Sequence, residues 1–110
     1  TFPASAGEQL RDFCYVDDSV QAILQALTHP EFKGDVFNVA SGIPVSIREM
    51  VEKVRNITGS GNPQFGEVSY RNGENMSLYA NISKAKNILK WEPSTSLDLG
   101  LLQTINWFEK

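Results

Sequence analysis

The chain has 110 residues, 41% of them hydrophobic, and a formal net charge of −3, which bounds it to a single domain with one modest core. Ten Lys+Arg against 13 Asp+Glu argue against a nucleic-acid or anionic-membrane partner held by bulk charge. The single cysteine, Cys14, excludes an internal disulfide and a cysteine-based zinc site, and the single histidine, His29, disfavours a His-rich metal centre or a Ser/His/Asp triad.

In chain order, Arg11-Asp12-Phe13-Cys14-Tyr15-Val16 is aromatic and β-branched and reads as a short extended segment. From Val16 the apolar residues fall at 16, 20, 23, 24 and 27, the spacing of one helical face. Asp17 or Asp18 is placed to cap the first amides of that helix. Pro30 ends it, because the residue before a proline is pushed out of the helical region. Val36-Phe37-Asn38-Val39-Ala40, between Gly34 and Gly42, reads as a strand.

Ser46 and Glu49 then form a Ser-x-x-Glu capping box, with Val45 and Met50 placed as a hydrophobic staple. Ile47, Met50, Val51, Val54 and Ile57 make one helical face, and Gly59 supplies a left-handed stop. Residues 58–63 read as a loop, and a short strand follows from Phe65 to Ser69. Asn81 or Ser83 caps a short helix with Ile82, Ala85, Ile88 and Leu89 inward, stopped by Trp91-Glu92-Pro93. Ser96 opens the last helix, with Leu97, Leu101, Ile105 and Phe108 on its main face. Leu99 and Leu102 lie off that stripe and face more protein than this chain supplies.

No catalytic centre assembles from these residues. Gly59-Ser60-Gly61 follows a helix, whereas a dinucleotide fingerprint follows a strand and opens a helix. No Tyr-x-x-x-Lys pair occurs, since Tyr79 and Lys84 are five positions apart and a helix splays them. Cys14 reads as a small buried hydrophobe, His29 as a solvated surface residue, and Asp17-Asp18 as a helix start. No run approaches the ~18 apolar residues of a membrane span and no basic-then-apolar leader opens the sequence, so a soluble cytoplasmic protein is expected.

Two arginines on glycine turns remain. Arg11 lies in Gly7-Glu8-Gln9-Leu10-Arg11-Asp12-Phe13, and Arg71 in Tyr70-Arg71-Asn72-Gly73-Glu74. Planar guanidinium groups on turns suit phosphate oxygens, and a nearby carboxylate suits sugar hydroxyls. The plainer alternative pairs Arg11 with Asp12 or Glu8, and Arg71 with Glu74, on a solvated surface.

Three stretches, GEQLRDFCYVDDSVQAI, VFNVASGIPVSIREMVE and YRNGENMSLYANISKAKNILKWEPSTSLDLGL, together resemble the C-terminal third of the extended short-chain dehydrogenases/reductases, the NAD-dependent sugar-nucleotide epimerases and dehydratases. The resemblance implies that residues 1–110 are the substrate-binding region of a larger enzyme, a fragment without its N-terminal Rossmann domain. It implies that Arg11 and Arg71 contact the substrate diphosphate and that Glu74 hydrogen-bonds the nucleotide ribose. It also implies that the strand at 36–40 extends the Rossmann sheet, with the helix before it packed on that domain. NAD or NADP and the Tyr/Lys pair that drives hydride abstraction from the sugar belong, by the same resemblance, to the absent region. This chain alone is then expected to bind no cofactor and to be inactive.

The expected fold is mixed α/β, helices on a few short strands. The expected function is the nucleotide-sugar-binding part of an NAD(P)-dependent epimerase or dehydratase, whose parent enzyme the resemblance makes a homodimer. The rival reading is a noncatalytic helical interaction module that uses the Leu99/Leu102 surface.

Overall fold

The computed structural model describes residues 1–29 and 34–109. The chain forms a slab of 51 × 38 × 16 Å with a radius of gyration of 16.5 Å, well above the ~13 Å of a compact domain of this length. Its thin dimension holds little more than one layer of helices. The fold is mixed α/β, as the sequence predicts.

Among the described residues, four three-residue strands make two separate pairs. β1 (Phe2–Ala4) runs parallel to β4 (Pro63–Phe65), and β2 (Leu10–Asp12) runs antiparallel to β3 (Pro44–Ser46) with Arg11 opposite Val45. A third segment joins the second pair at one point, a parallel bridge between Leu10 and Ser77. The strand expected at 65–69 therefore lies slightly earlier, at 63–65, and Gly66 at φ +89° turns the chain away.

α1 (Val16–Thr28) ends where the sequence places its end, with His29 extended at φ −71°, ψ 124°. Pro30 itself lies outside the described residues. One expectation about this helix is corrected. Its N-cap is Tyr15, with no side-chain cap, and neither Asp17 nor Asp18 fills that place. Its apolar stripe also points away from the rest of the chain: Ile23 is 58% exposed and Leu27 75%. The inward face carries Asp18 and Ala22.

That orientation follows from what packs beneath. Ala22, Ala85, Leu89 and Trp91 form the core, with Cys14, Ala26 and Phe37 packed against it. Small residues on α1 admit the 85–91 segment closely, and Asp18 hydrogen-bonds the residues that follow it. Its carboxylate accepts from the Ser94 hydroxyl at 3.0 Å, the Thr95 amide at 3.0 Å and the Thr95 hydroxyl at 3.2 Å. A buried carboxylate requires such donors.

Val36–Ala40 is not a strand. Among the described residues no strand pairs with it. Lys84 binds it instead, donating to Asp35 Oδ1 at 2.7 Å and to the Val36 carbonyl at 2.8 Å, with its Nζ 5.0 Å from the Phe37 ring centroid.

α2 (Ile47–Thr58) matches its sequence signals. Ser46 Oγ accepts from the Glu49 amide at 3.1 Å, and Gly59 closes the helix at φ 69° by donating to the Arg55 carbonyl at 2.8 Å. The short helix before Trp91 departs from expectation. Asn81 Oδ1 accepts from the Ser83 amide at 2.9 Å, and Ala85–Leu89 is a π-helical turn. Its wider i→i+5 turn leaves Ile88 43% exposed while Ile82, Ala85 and Leu89 stay buried. α3 (Leu97–Phe108) is capped by Ser96, whose hydroxyl accepts from the Leu99 amide at 3.2 Å. Leu97, Leu101 and Ile105 are half-buried, but Phe108 is exposed, as are Leu99 and Leu102. Among the described residues no helix is long and apolar enough to cross a membrane.

Candidate functional site

Gly7 starts the site. At φ +73° it takes a left-handed conformation, and a Cβ there would stand 2.8 Å from the Arg48 backbone nitrogen. The close approach lets the turn wrap the first residues of α2: the Arg48 amide donates to the Gly7 carbonyl at 2.8 Å and the Ile47 amide to the Gln9 carbonyl at 3.0 Å. Arg48 also donates from Nε to the Ala6 carbonyl at 2.9 Å and lies over the Phe65 ring, 4.3 Å from its centroid. The turn is thereby fixed against both a helix and a strand before β2 begins.

β2 then presents Arg11, and the 70–74 turn presents Arg71 and Glu74. These three residues meet. Arg11 Nη2 lies 3.4 Å from Glu74 Oε2, a pair 63 positions apart in sequence, and Arg71 Nη2 lies 3.8 Å from the same oxygen. Arg11 Nη1 donates to the Leu10 carbonyl at 2.7 Å, which fixes the guanidinium plane. The Arg11 and Glu74 side chains are 21% and 14% exposed, whereas Arg71 is 87% exposed. One arm of the cluster is therefore sheltered and pre-oriented, and the other stands open to solvent.

Both sequence readings hold part of this geometry. Arg71 pairs with Glu74, as a surface ion pair would. Arg11 pairs with neither Asp12 nor Glu8 but with that same Glu74, so the two turns converge. A second tie reinforces them: the Glu8 amide donates to Tyr70 Oη at 2.9 Å, and Tyr70 Oη donates to Glu8 Oε1 at 3.3 Å. The cluster pairs two guanidinium groups with one carboxylate. It can accept an anion with planar oxygens at the arginines while the carboxylate takes hydroxyl donors.

Three contributors escaped the sequence reading: Tyr70, Arg48 and Asp12. Asp12 carried the clearest signal, since Asp is depleted in strands and its presence between Arg11 and Phe13 implies side-chain bonding. Its Oδ1 accepts from the Ser41 amide at 2.7 Å and the Ser41 hydroxyl at 2.6 Å. Its Oδ2 accepts from the Gly42 amide at 2.9 Å and the Ala80 amide at 3.3 Å. Burial raises its pKa, but the Ser41 hydroxyl and the amides of Ser41, Gly42 and Ala80 outweigh that and hold the carboxyl below its ordinary value.

Away from the cluster, a largely apolar cleft of about 300 Å³ opens between the 13–16 segment and α3, lined in part by Phe13, Tyr15, Met50, Leu97 and Leu101. It contains no residue of the Arg11–Arg71–Glu74 cluster.

The sequence and the fold are similar to those of known proteins. The sequence profile of the family described as GDP-mannose 4,6 dehydratase matches residues 2–104. The UDP-glucuronate 4-epimerase of Thermodesulfobacterium geofontis is 31% identical over 102 residues, covering 92% of this chain and 31% of the relative. Among solved structures, the UDP-glucose 4-epimerase of Thermotoga maritima, crystallised with UDP-glucose, aligns with a TM-score of 0.83 at 34% identity. That alignment covers 94% of this chain and 32% of the epimerase. The UDP-glucuronic acid 4-epimerase of Bacillus cereus, solved with UDP-glucuronic acid and NAD, aligns at 0.81 with 30% identity, covering 97% of this chain and 35% of that one.

Fold and matches together define the class as the extended short-chain dehydrogenases/reductases, the NAD-dependent sugar-nucleotide epimerases and dehydratases. Within that class, the chain belongs to the family whose profile is described as GDP-mannose 4,6 dehydratase. It spans about a third of the length of the relatives it matches.

Proposed function

We propose that this chain is the nucleotide-sugar-binding C-terminal portion of an NAD(P)-dependent sugar-nucleotide epimerase or dehydratase. Arg11 and Arg71 hold the substrate diphosphate, and Glu74 takes the ribose hydroxyls. The observation that carries the reading is the convergence of both guanidinium groups on the one carboxylate of Glu74. Two turns far apart in sequence have no need to meet for the sake of a solvated surface pair.

The dinucleotide belongs to the remainder of the enzyme in this reading. Gly59 and Gly61, the candidate phosphate-loop glycines, end α2 rather than open a helix, and the Gly59 amide is committed to the Arg55 carbonyl. These residues do not fit a dinucleotide pyrophosphate, which sits at a helix N-terminus after a strand. What this chain contributes to catalysis is position. By fixing the diphosphate it holds the sugar ring at one place, and orientation of this kind supplies a large part of a rate enhancement. The outward apolar stripe of α1 packs, in this reading, on the cofactor-binding portion.

The test is calorimetric titration of UDP and dTDP into the full-length protein and its Arg11→Ala and Arg71→Ala variants. Weakened binding in both is expected. Wild-type affinity in both variants would overturn the assignment.

A further inference from the structure

We propose that Asp12 is a positioning residue of the diphosphate grip, clamping the segment that follows the 70–74 turn in the register that brings Glu74 and Arg71 to Arg11. The inference rests on the reading of Arg11 and Arg71 as diphosphate ligands, and it concerns how they are made to meet.

Arg11 finds its partners only if the 74–80 segment runs beside β2. Main-chain bonding secures that segment at Leu10, whose amide donates to the Met76 carbonyl at 2.8 Å and whose carbonyl accepts from the Leu78 amide at 3.1 Å. Both bonds fall on one residue, and an isolated parallel bridge allows pivoting and slippage, because register is weakly specified in so short a pairing. The second anchor is the Asp12 side chain, which takes the Ala80 amide at 3.3 Å. Arg11 thus stands between two attachment points, Leu10 on one side and Asp12 on the other.

The same carboxylate secures the turn before β3, through the amides of Ser41 and Gly42 and the Ser41 hydroxyl. It therefore joins three segments: β2, the 41–42 turn and the end of the 74–80 run. Each Asp12 oxygen faces at least one backbone N–H, a donor that cannot reverse its role. Only an acceptor on both sides satisfies that set, and an ionised carboxylate is such a group. An asparagine cannot be: whichever way its amide is turned, its NH₂ meets a backbone N–H.

The experiment is a double-mutant cycle in the full-length protein, with UDP affinity read by calorimetry in wild type, Asp12→Asn, Arg71→Ala and the double variant. Asp12→Asn is expected to weaken UDP about tenfold, and to add far less than that once Arg71 is gone, because it acts through the same contact. Asp12→Glu keeps the acceptor on a longer arm, so its loss should be intermediate and equally non-additive with Arg71→Ala. It carries the test alone if Asp12→Asn does not fold. An equal loss with and without the Arg71 side chain would mean a general structural effect and overturns the proposal, as does wild-type affinity in Asp12→Glu. Undiminished UDP binding in Arg71→Ala removes Arg71 from the grip and overturns this proposal with it. A loss in Arg71→Ala with wild-type affinity in Asp12→Asn overturns only the role of Asp12.

Discussion

The indole N–H of Trp91 donates to the main-chain carbonyl of Asp18 at 2.9 Å, a buried bond across 73 positions. Together with the three bonds on the Asp18 carboxylate it fastens the 91–95 segment to the first turns of α1. Asp18→Ala leaves the Thr95 amide without this acceptor and should cost about 3 kcal/mol, whereas exposed Asp17→Ala should cost about 0.5 kcal/mol. Denaturant unfolding of the two variants distinguishes them. Equal costs would show that the Asp18 carboxylate does not hold this junction.

Gly7 is restricted both by its φ of +73° and by the 2.8 Å from a built Cβ to the Arg48 nitrogen. The obstacle is backbone, which cannot rotate aside. Gly7→Ala should therefore destabilise by about 2 kcal/mol or more and also displace Arg11. Gly34→Ala is the control, since its φ is +71° but among the described residues nothing lies within 4 Å of its built Cβ. Thermal unfolding should rank Gly7→Ala well below Gly34→Ala.

The lowered pKa of Asp12 sets a direction for acid stability. Its folded value lies below its unfolded value, so its contribution is complete above the unfolded carboxyl pKa of about 3.9. That contribution is lost as pH falls from there through the lowered folded value. Asp12→Asn should remove this part of the pH dependence. Stability measured by urea unfolding between neutral pH and pH 3 should fall less steeply in the variant than in wild type.

For the substrate grip, charge-assisted hydrogen bonds from a sheltered guanidinium are worth roughly 1.5 to 3 kcal/mol each, so Arg11→Ala should cost tenfold or more in nucleoside-diphosphate affinity. Arg71 is largely exposed without ligand and its alanine variant should cost at the lower end of that range. The double variant should be non-additive, and lysine at either place should restore only part. Glu74→Gln should weaken UDP while sparing inorganic pyrophosphate, which has no ribose. A uniform loss for both ligands would remove Glu74 from the ribose.

The 110-residue chain by itself should show no turnover of nucleotide sugars with NAD or NADP, and it should self-associate. The outward stripe of α1, with Leu27 75% exposed, and Trp107 and Phe108 at the end of α3, 65% and 75% exposed, make apolar surface that a lone slab leaves open. Sedimentation velocity over a concentration series, with a hydrophobic dye as second probe, checks this. A clean monomer that ignores the dye would show that these faces need no cover.

Much of the local structure was legible because its causes are local. The Ser46 cap, the left-handed Gly59 and the extended residue before Pro30 each depend on a few neighbouring atoms, and each stands where the sequence puts it. The errors fall where a partner decides. Val36–Ala40 has the composition of a strand, but among the described residues no strand pairs with it. The 85–89 turn widened to a π-helix because its inward residues had to meet α1 and Trp91 together.

By itself the sequence determined the three α-helices, the caps of α2 and α3 and the presence of two arginines and an acid near glycine turns, because periodicity and turn chemistry are properties of adjacent residues. Their resemblance to a known family pointed to what the arginines hold. Only the tertiary structure decided that α1 turns its apolar stripe outward, since periodicity defines a face but not its direction. Only the tertiary structure, too, brought Arg11 to Glu74, through the Leu10 bridge and the Asp12 carboxylate. Contacts across more than sixty positions are chosen by the packing of whole segments, and no local pattern records them.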